Sequence, residues 1–217
     1  MSEFIREVDE EVRREQQLKL WRKYGVYVVG VGVVIIVVAS SVVFWRNYQE
    51  SARLDDSAAF NVATVRAERG ELAAAADAFF ELSENAGGGY APLATLREAR
   101  TRIINDDVQG GISSLDRLAA DGGSDTALRQ IATLSAIVQM MNSGKLDGID
   151  DRLADLADAD SPWSSTAYEL RGLVALQRGD MDEARRLFAD LASDPSIVPG
   201  VRTRAGEILA AIGGSGE

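Results

Sequence analysis

The stretch GDMDEARRLFADL, Gly179 to Leu191, decides the fold of this 217-residue chain. It opens with a glycine and then places Ala184, Phe188 and Leu191 at successive intervals of five, four and three residues. Intervals of three and four residues bring side chains to one face of an α-helix. The stretch therefore predicts a tight turn at Gly179 followed by a helix with one apolar face.

The same pattern recurs three times earlier in the chain. The copies are Gly70, Ala75, Phe79 and Leu82; Asp106, Gly111, Leu115 and Leu118; and Gly144, Ile149, Leu153 and Leu156. Successive copies start 36, 38 and 35 residues apart. Helix pairs of this length cannot bury their apolar faces alone and must stack. The sequence predicts an all-α, tetratricopeptide-like solenoid of about four helix pairs, capped by a final helix over Val201–Ile212.

Each repeated position has a physical reason. The first residue of the pattern must accept a positive φ or cap the following helix. The small residue five places later lets two helices approach closely, and the larger residues at nine and twelve fill the contact with the next pair. Gly-rich breaks are expected to separate helices, among them Gly110–Gly111, and Ser161-Pro162-Trp163 predicts a helix start with Ser161 as the N-cap.

An apolar segment precedes the repeats. Residues 24–45 carry no charge and are rich in Val, Ile, Gly and Ala. Roughly 20 such residues span the hydrocarbon core of a bilayer, and aromatic residues flank both ends of this segment. A cleaved signal peptide fits poorly, because the leading segment is long and acidic and no small-residue cleavage site follows. We predict one N-terminal transmembrane helix.

Charge asymmetry predicts the orientation of that helix. Five basic residues precede the span closely, whereas only Arg46 and Arg53 lie at a comparable distance after it. The positive-inside rule therefore places the N-terminus in the cytosol. The expected organisation is a cytosolic amphipathic segment (1–23), the transmembrane helix (24–45), a periplasmic repeat domain (46–212) and a disordered tail (213–217).

Composition argues against most catalytic chemistry. The chain contains no histidine and no cysteine, so it lacks the usual general base, the usual thiolate nucleophile and the commonest metal ligands. The formal net charge is −11, which opposes binding to nucleic acid phosphates. We expect no enzyme activity, no cofactor, no metal, no nucleic acid and no small-molecule substrate.

The chain resembles a known family over nearly its whole length. The resemblance is carried best by residues 89–96 (GYAPLATL) and by Trp163 followed by Leu170-Arg171-Gly172 and Gly179-Asp180. These stretches are similar to the ancillary subunits of the SecYEG translocon, the YfgM-like proteins. The run Ile5–Val12 resembles an alphaproteobacterial version. The resemblance implies an inner-membrane protein with periplasmic repeats, working beside the translocon and periplasmic chaperones.

Two surfaces are candidate contact sites. The first helices of pairs two and three are apolar on more than one face, which predicts a groove for a client segment lined by Leu96, Leu134 and Val138, with Arg100 available to a client carboxylate. In the membrane segment, Gly25, Gly32 and Ala39 recur every seven residues, and such small residues permit close approach of another transmembrane helix.

Three functions remain open on the sequence. The leading one is a membrane-anchored protein–protein interaction scaffold ancillary to the Sec translocon. The alternative is a scaffold of another cell-envelope complex, for cell division or wall synthesis. An enzyme with an acid pair in a groove is the remaining possibility, and it lacks any supporting motif.

Overall fold

The computed structural model describes residues 2–158 and 161–213, with side chains described at Gly30 and from residue 36 onward within those ranges. Every regular element in the described ranges is a helix. The helices are α1 (Ser2–Glu68), α2 (Leu72–Asn85), α3 (Tyr90–Ile104), α4 (Val108–Ala120), α5 (Thr126–Asn142), α6 (Ile149–Leu156), α7 (Ser164–Arg178), α8 (Met181–Ser193) and α9 (Pro199–Gly213).

The chain divides into two compact units, Met1–Asp55 and Asp56–Glu217. The second unit contains the repeats, and its first pair is formed by the end of α1 with α2. Pairs two, three and four are α3–α4, α5–α6 and α7–α8. The prediction of an all-helical repeat domain is confirmed, and α9 follows the four pairs as the final helix.

The predicted membrane segment is only partly described. Within the described part of the chain, no helix combines the length and the apolar character that crossing a bilayer requires. Residues 24–29 and 31–35 of the predicted span lie outside the described side chains. The predicted disordered tail (213–217) was wrong at its first residue, because Gly213 is the last residue of α9, and residues 214–217 lie outside the described residues.

The four turns that open the repeated pattern share one backbone conformation. Gly70, Asp106, Gly144 and Gly179 have φ of +82°, +63°, +70° and +80°. Asp106 is the one residue other than glycine with positive φ in the described part of the chain. Aspartate tolerates this left-handed region better than most residues because its short polar side chain bonds locally. The predicted role of the turn position is confirmed.

Among the described side chains, the core is built from three clusters that follow one another along the chain. Their buried residues span Ala63–Ala94, Ala99–Val174 and Ala175–Ala205. Every apolar member of the repeated pattern is buried: Ala75, Phe79, Leu82, Leu115, Leu118, Ile149, Leu153, Leu156, Ala184, Phe188 and Leu191. The pattern therefore identifies the core-facing side of each second helix, because buried helical residues recur every three or four positions.

Small residues allow close helix approach at two contacts. A Cβ atom on Gly111 would lie 2.8 Å from the carbonyl oxygen of Ala99 and 2.5 Å from a side-chain carbon of Ile103. A Cβ atom on Gly172 would lie 2.7 Å from the ring of Phe188. Neither distance is compatible with normal packing, so both contacts need glycine. This confirms the predicted role of the small residue at Gly111.

Two further predicted boundaries were wrong. Gly110 and Gly111 lie inside α4, which begins at Val108 because Asp107 is the N-cap and its carboxylate accepts from the Gly110 backbone N–H at 2.9 Å. The other error is at α7, which begins at Ser164 rather than at Pro162. Ser161 Oγ instead accepts from the Trp163 N–H at 3.2 Å, forming a turn ahead of the helix.

Candidate protein-binding site

A surface groove of about 380 Å³ lies between α3 and α5, the first helices of pairs two and three. Its residues on α3 are Leu96, Ala99, Arg100, Ile103 and Ile104, and those on α4 and α5 are Leu115, Ser135 and Gln139. Ala99 and Leu115 are buried and form the floor, whereas Ile104 is 56% exposed at the rim. The groove therefore offers an apolar floor and an apolar edge to a ligand.

The polar groups of the groove are few. Ser135 Oγ already donates to the backbone carbonyl of Ile131 at 2.7 Å. The side chains of Arg100 and Gln139 make no hydrogen bond or ion pair within the described residues. A ligand can thus pair with one guanidinium and one amide here without displacing an existing partner.

The structure brings two of the four predicted groove residues together. Leu96 and Arg100 both line the groove. Leu134 is instead partly buried against the central core cluster, and Val138 is 40% exposed outside the groove lining. On α5 the groove is lined by Ser135 and Gln139, each one residue beyond the predicted position.

The predicted transmembrane contact face cannot be placed against a neighbour. Gly25 and Gly32 lie outside the described side chains, and Ala39 is exposed. The proposed role of these three residues therefore stays a prediction.

Behind the groove, α3 carries a buried carboxylate that sequence reasoning did not find. Glu98 is 1% exposed. It accepts from Arg102 Nε at 2.8 Å, from Arg117 Nη2 at 2.6 Å and from Ser114 Oγ at 2.9 Å. The hydrogen bond to Glu98 raises the pKa of Arg102 above its ordinary value. A charged group buried this deeply requires such partners, because its desolvation is costly.

A second buried carboxylate sits near the end of the stack. Glu169 on α7 is 7% exposed and accepts two hydrogen bonds from Arg204 of α9, both at 2.7 Å. The hydrogen bond to Glu169 raises the pKa of Arg204. Arg204 itself is 55% exposed, so this ion pair fastens α9 to the fourth pair at the edge of solvent.

The buried acidic side chains of the described residues form ion pairs rather than a metal-binding cluster. In residues 2–158 and 161–213, no group of three or more acidic, histidine or cysteine side chains could hold a metal ion. The acidic side chains Glu98 and Glu169 are both neutralised by arginine. The arrangement is suited to binding a ligand through apolar contact and charge pairing.

Helix pairs joined by left-handed turns, with a groove between successive first helices, define a helical repeat domain of the protein-binding class. The sequence profile of the tetratricopeptide repeat-like domain family matches residues 19–194. The chain therefore belongs to the tetratricopeptide repeat-like domain family. No curated protein matches the chain, and no solved structure matches it.

Proposed function

We propose that this protein is a membrane-anchored scaffold that binds other proteins through the groove between α3 and α5. The observation that carries the proposal is the groove itself, in which an apolar floor adjoins an arginine and a glutamine without partners in the described chain. Repeat domains of this class use the surface formed by successive repeats to hold extended or helical segments of other proteins.

The anchor is residues 24–45. This segment is uncharged and long enough to span a bilayer, and the family match, which begins at residue 19, includes it. With the N-terminus in the cytosol, the repeat domain lies at the periplasmic face. A reporter that is active only in the cytosol, fused after Ile212, is then silent. Strong cytosolic activity of that fusion would invert this topology.

The proposed partners are the SecYEG translocon and periplasmic chaperones. The support is the resemblance of residues 89–96 and 163–185 to the ancillary translocon subunits. In this role the Gly25, Gly32 and Ala39 face contacts a translocon helix, while the groove holds a chaperone or an emerging client.

Site-specific photocross-linking tests the groove. A photoreactive residue at position 139 of the full chain, in membranes that contain the translocon, should cross-link a translocon subunit, a periplasmic chaperone or an exported client. The control position is Glu81, an exposed residue on the second helix of pair one. Equal cross-linking at both positions, or none from position 139, argues against the groove as the binding site.

A matched pair of substitutions separates binding from stability. Ile104 is 56% exposed at the groove rim, so Ile104→Ser should reduce cross-linking with little change in melting temperature. Leu134 packs on the central core, so Leu134→Ser should lower the melting temperature as well. Unchanged cross-linking in Ile104→Ser would move the binding surface elsewhere.

A further inference from the structure

Charge is sorted between the two helices of a pair in pairs two, three and four. The first helices α3, α5 and α7 contain six arginines and two acidic residues. The second helices α4, α6 and α8 of the same pairs contain seven acidic residues and four arginines. The first helices are therefore net basic in a chain whose formal net charge is −11.

Burial removes the acidic side chains of these first helices from the surface. The two acidic residues of the first helices are Glu98 and Glu169, and both are buried and paired with arginine. Neither carboxylate is presented to solvent. The charge that α3 and α5 present at the surface is consequently arginine alone.

The exposed stripe of α3 combines arginine with aliphatic side chains. Leu93, Arg97, Arg100 and Ile104 follow one another at intervals of four, three and four residues, and all four are exposed. Such spacing places them on one face of the helix. Arg97, like Arg100, makes no side-chain hydrogen bond or ion pair within the described residues.

The neighbouring surface of α5 adds no negative charge. Thr126–Asn142 contains no acidic residue, and its exposed apolar side chains include Ile131 and Val138. The exposed stripe of α3 is thus aliphatic, with two guanidinium groups that make no ion pair within the described residues, and we refer to it as the basic aliphatic face. It is defined by Leu93, Arg97, Arg100 and Ile104, and Arg100 and Ile104 also line the groove.

We infer that the basic aliphatic face selects partner segments in which acidic residues alternate with aliphatic ones. This inference rests on the proposed protein-binding function and names the chemistry of the ligand. A carboxylate can receive two parallel N–H bonds from one guanidinium, and partial burial against Leu96 and Ile104 strengthens that pairing. The net acidic helices α6 and α8 repel the same segments, so selection depends on the local face rather than on net charge.

The test is a selection experiment on the full chain held in detergent micelles or nanodiscs. A library of random 12-residue peptides displayed on phage is selected on the protein and, in parallel, on empty micelles or nanodiscs. The expected result is enrichment of peptides that combine Asp or Glu with Leu, Ile, Val or Phe, and depletion of Lys and Arg.

Two charge reversals locate the effect. Arg100→Glu should abolish the acidic preference and lower the affinity of selected acidic peptides at least tenfold, measured by fluorescence anisotropy. Arg185→Glu is the matched control: it reverses an exposed arginine on the second helix α8, where it pairs with Asp182, and should leave the affinity unchanged. Both variants change the formal net charge equally.

The remaining outcomes are decisive in different ways. Apolar peptides enriched without acidic bias, or basic peptides enriched, would overturn the charge inference while leaving the groove as a protein-binding site. Equal losses in Arg100→Glu and Arg185→Glu would show that net charge governs binding, which also overturns it. Absence of any enrichment above the empty micelles or nanodiscs would overturn both this inference and the proposed function.

Discussion

Pair two and pair four fill the corresponding contact between their two helices with different combinations of side-chain sizes, Ala99 with Leu115 in pair two and Gly172 with Phe188 in pair four. Pair two places Ala99 on its first helix against Gly111 and Leu115 on its second. Pair four places Gly172 on its first helix against the ring of Phe188. The repeat therefore preserves the volume shared across the contact rather than the identity of either residue, as expected of a close-packed core.

The same two pairs also treat a buried carboxylate differently. In pair two, Glu98 is satisfied from within the pair, by Arg102 of α3 and by Ser114 and Arg117 of α4. In pair four, Glu169 relies on Arg204 of α9, outside the pair. An inner pair can thus hold its own buried charge, whereas the last pair uses its charge to attach the final helix.

The largest expected effect comes from stripping the inner carboxylate of its partners. The double substitution Arg102→Ala and Arg117→Ala leaves Glu98 buried without a cation, which should lower the free energy of unfolding by about 3–5 kcal/mol. Urea unfolding followed by circular dichroism measures this loss. Adding Glu98→Ala removes the uncompensated charge and should recover part of the stability. No recovery in the triple variant would mean that packing, not charge, dominates at this position.

A smaller loss of stability is expected from changing the sizes of the two side chains that meet in pair four, Gly172 and Phe188. Gly172→Ala forces a methyl group against the Phe188 ring and should cost about 1–3 kcal/mol in thermal or urea unfolding. Adding Phe188→Leu reproduces the combination of alanine with leucine found in pair two and should offset much of that cost. The double variant must be more stable than the sum of the two single losses predicts. If the loss of unfolding free energy in the double variant equals the sum of the two single losses, the two side chains do not share the volume of the contact.

Breaking the ion pair between Glu169 and Arg204 should cause a small loss of stability that is confined to the end of the domain. Arg204→Ala leaves the buried carboxylate of Glu169 without its cation, but water can reach it from the exposed side that Arg204 covered, so the loss should be about 1–2 kcal/mol. Hydrogen exchange should quicken in Pro199–Gly213 and remain slow in α3 and α4, because regions of a repeat protein open separately. Faster exchange spreading into pair two would show that the final helix supports the whole stack.

The smallest effect concerns the turns. Asp106 opens the second helix of pair two at φ +63°, where pair four has Gly179. Asp106→Gly should raise the free energy of unfolding by up to about 1 kcal/mol, because glycine adopts this region without a steric penalty. The reciprocal Gly179→Asp should lower it by a similar amount. Urea midpoints of the two variants check the sign, and a loss in Asp106→Gly would show that the Asp106 side chain stabilises the turn.

The repeat could be predicted from the sequence because its pattern involves residues that are close together in the chain. A left-handed turn and three apolar positions at fixed distances from it, such as Gly179 followed by Ala184, Phe188 and Leu191, depend on helical geometry alone. The buried ion pair between Glu98 and Arg117 could not be predicted from the sequence, because the two residues lie on different helices. No helical periodicity relates their positions in the sequence.

The lining of the groove was predictable on α3 but not on α5, for a geometric reason. Leu134 and Val138 stand as far before their turn as Leu96 and Arg100 stand before theirs, so the repeat predicts the same face for both helices. A groove between two helices is lined by edges that face each other. On α5 that edge is reached one residue later, at Ser135 and Gln139.

The order of the three core clusters bears on how the chain folds as it is made. The buried residues of each cluster lie in consecutive stretches that do not overlap, Ala63–Ala94, Ala99–Val174 and Ala175–Ala205. A chain that emerges from its N-terminus completes each core before the next begins, and needs no late segment to close an early one. Low sequence separation of contacts also favours rapid folding. The solenoid is therefore suited to vectorial folding, one core cluster at a time.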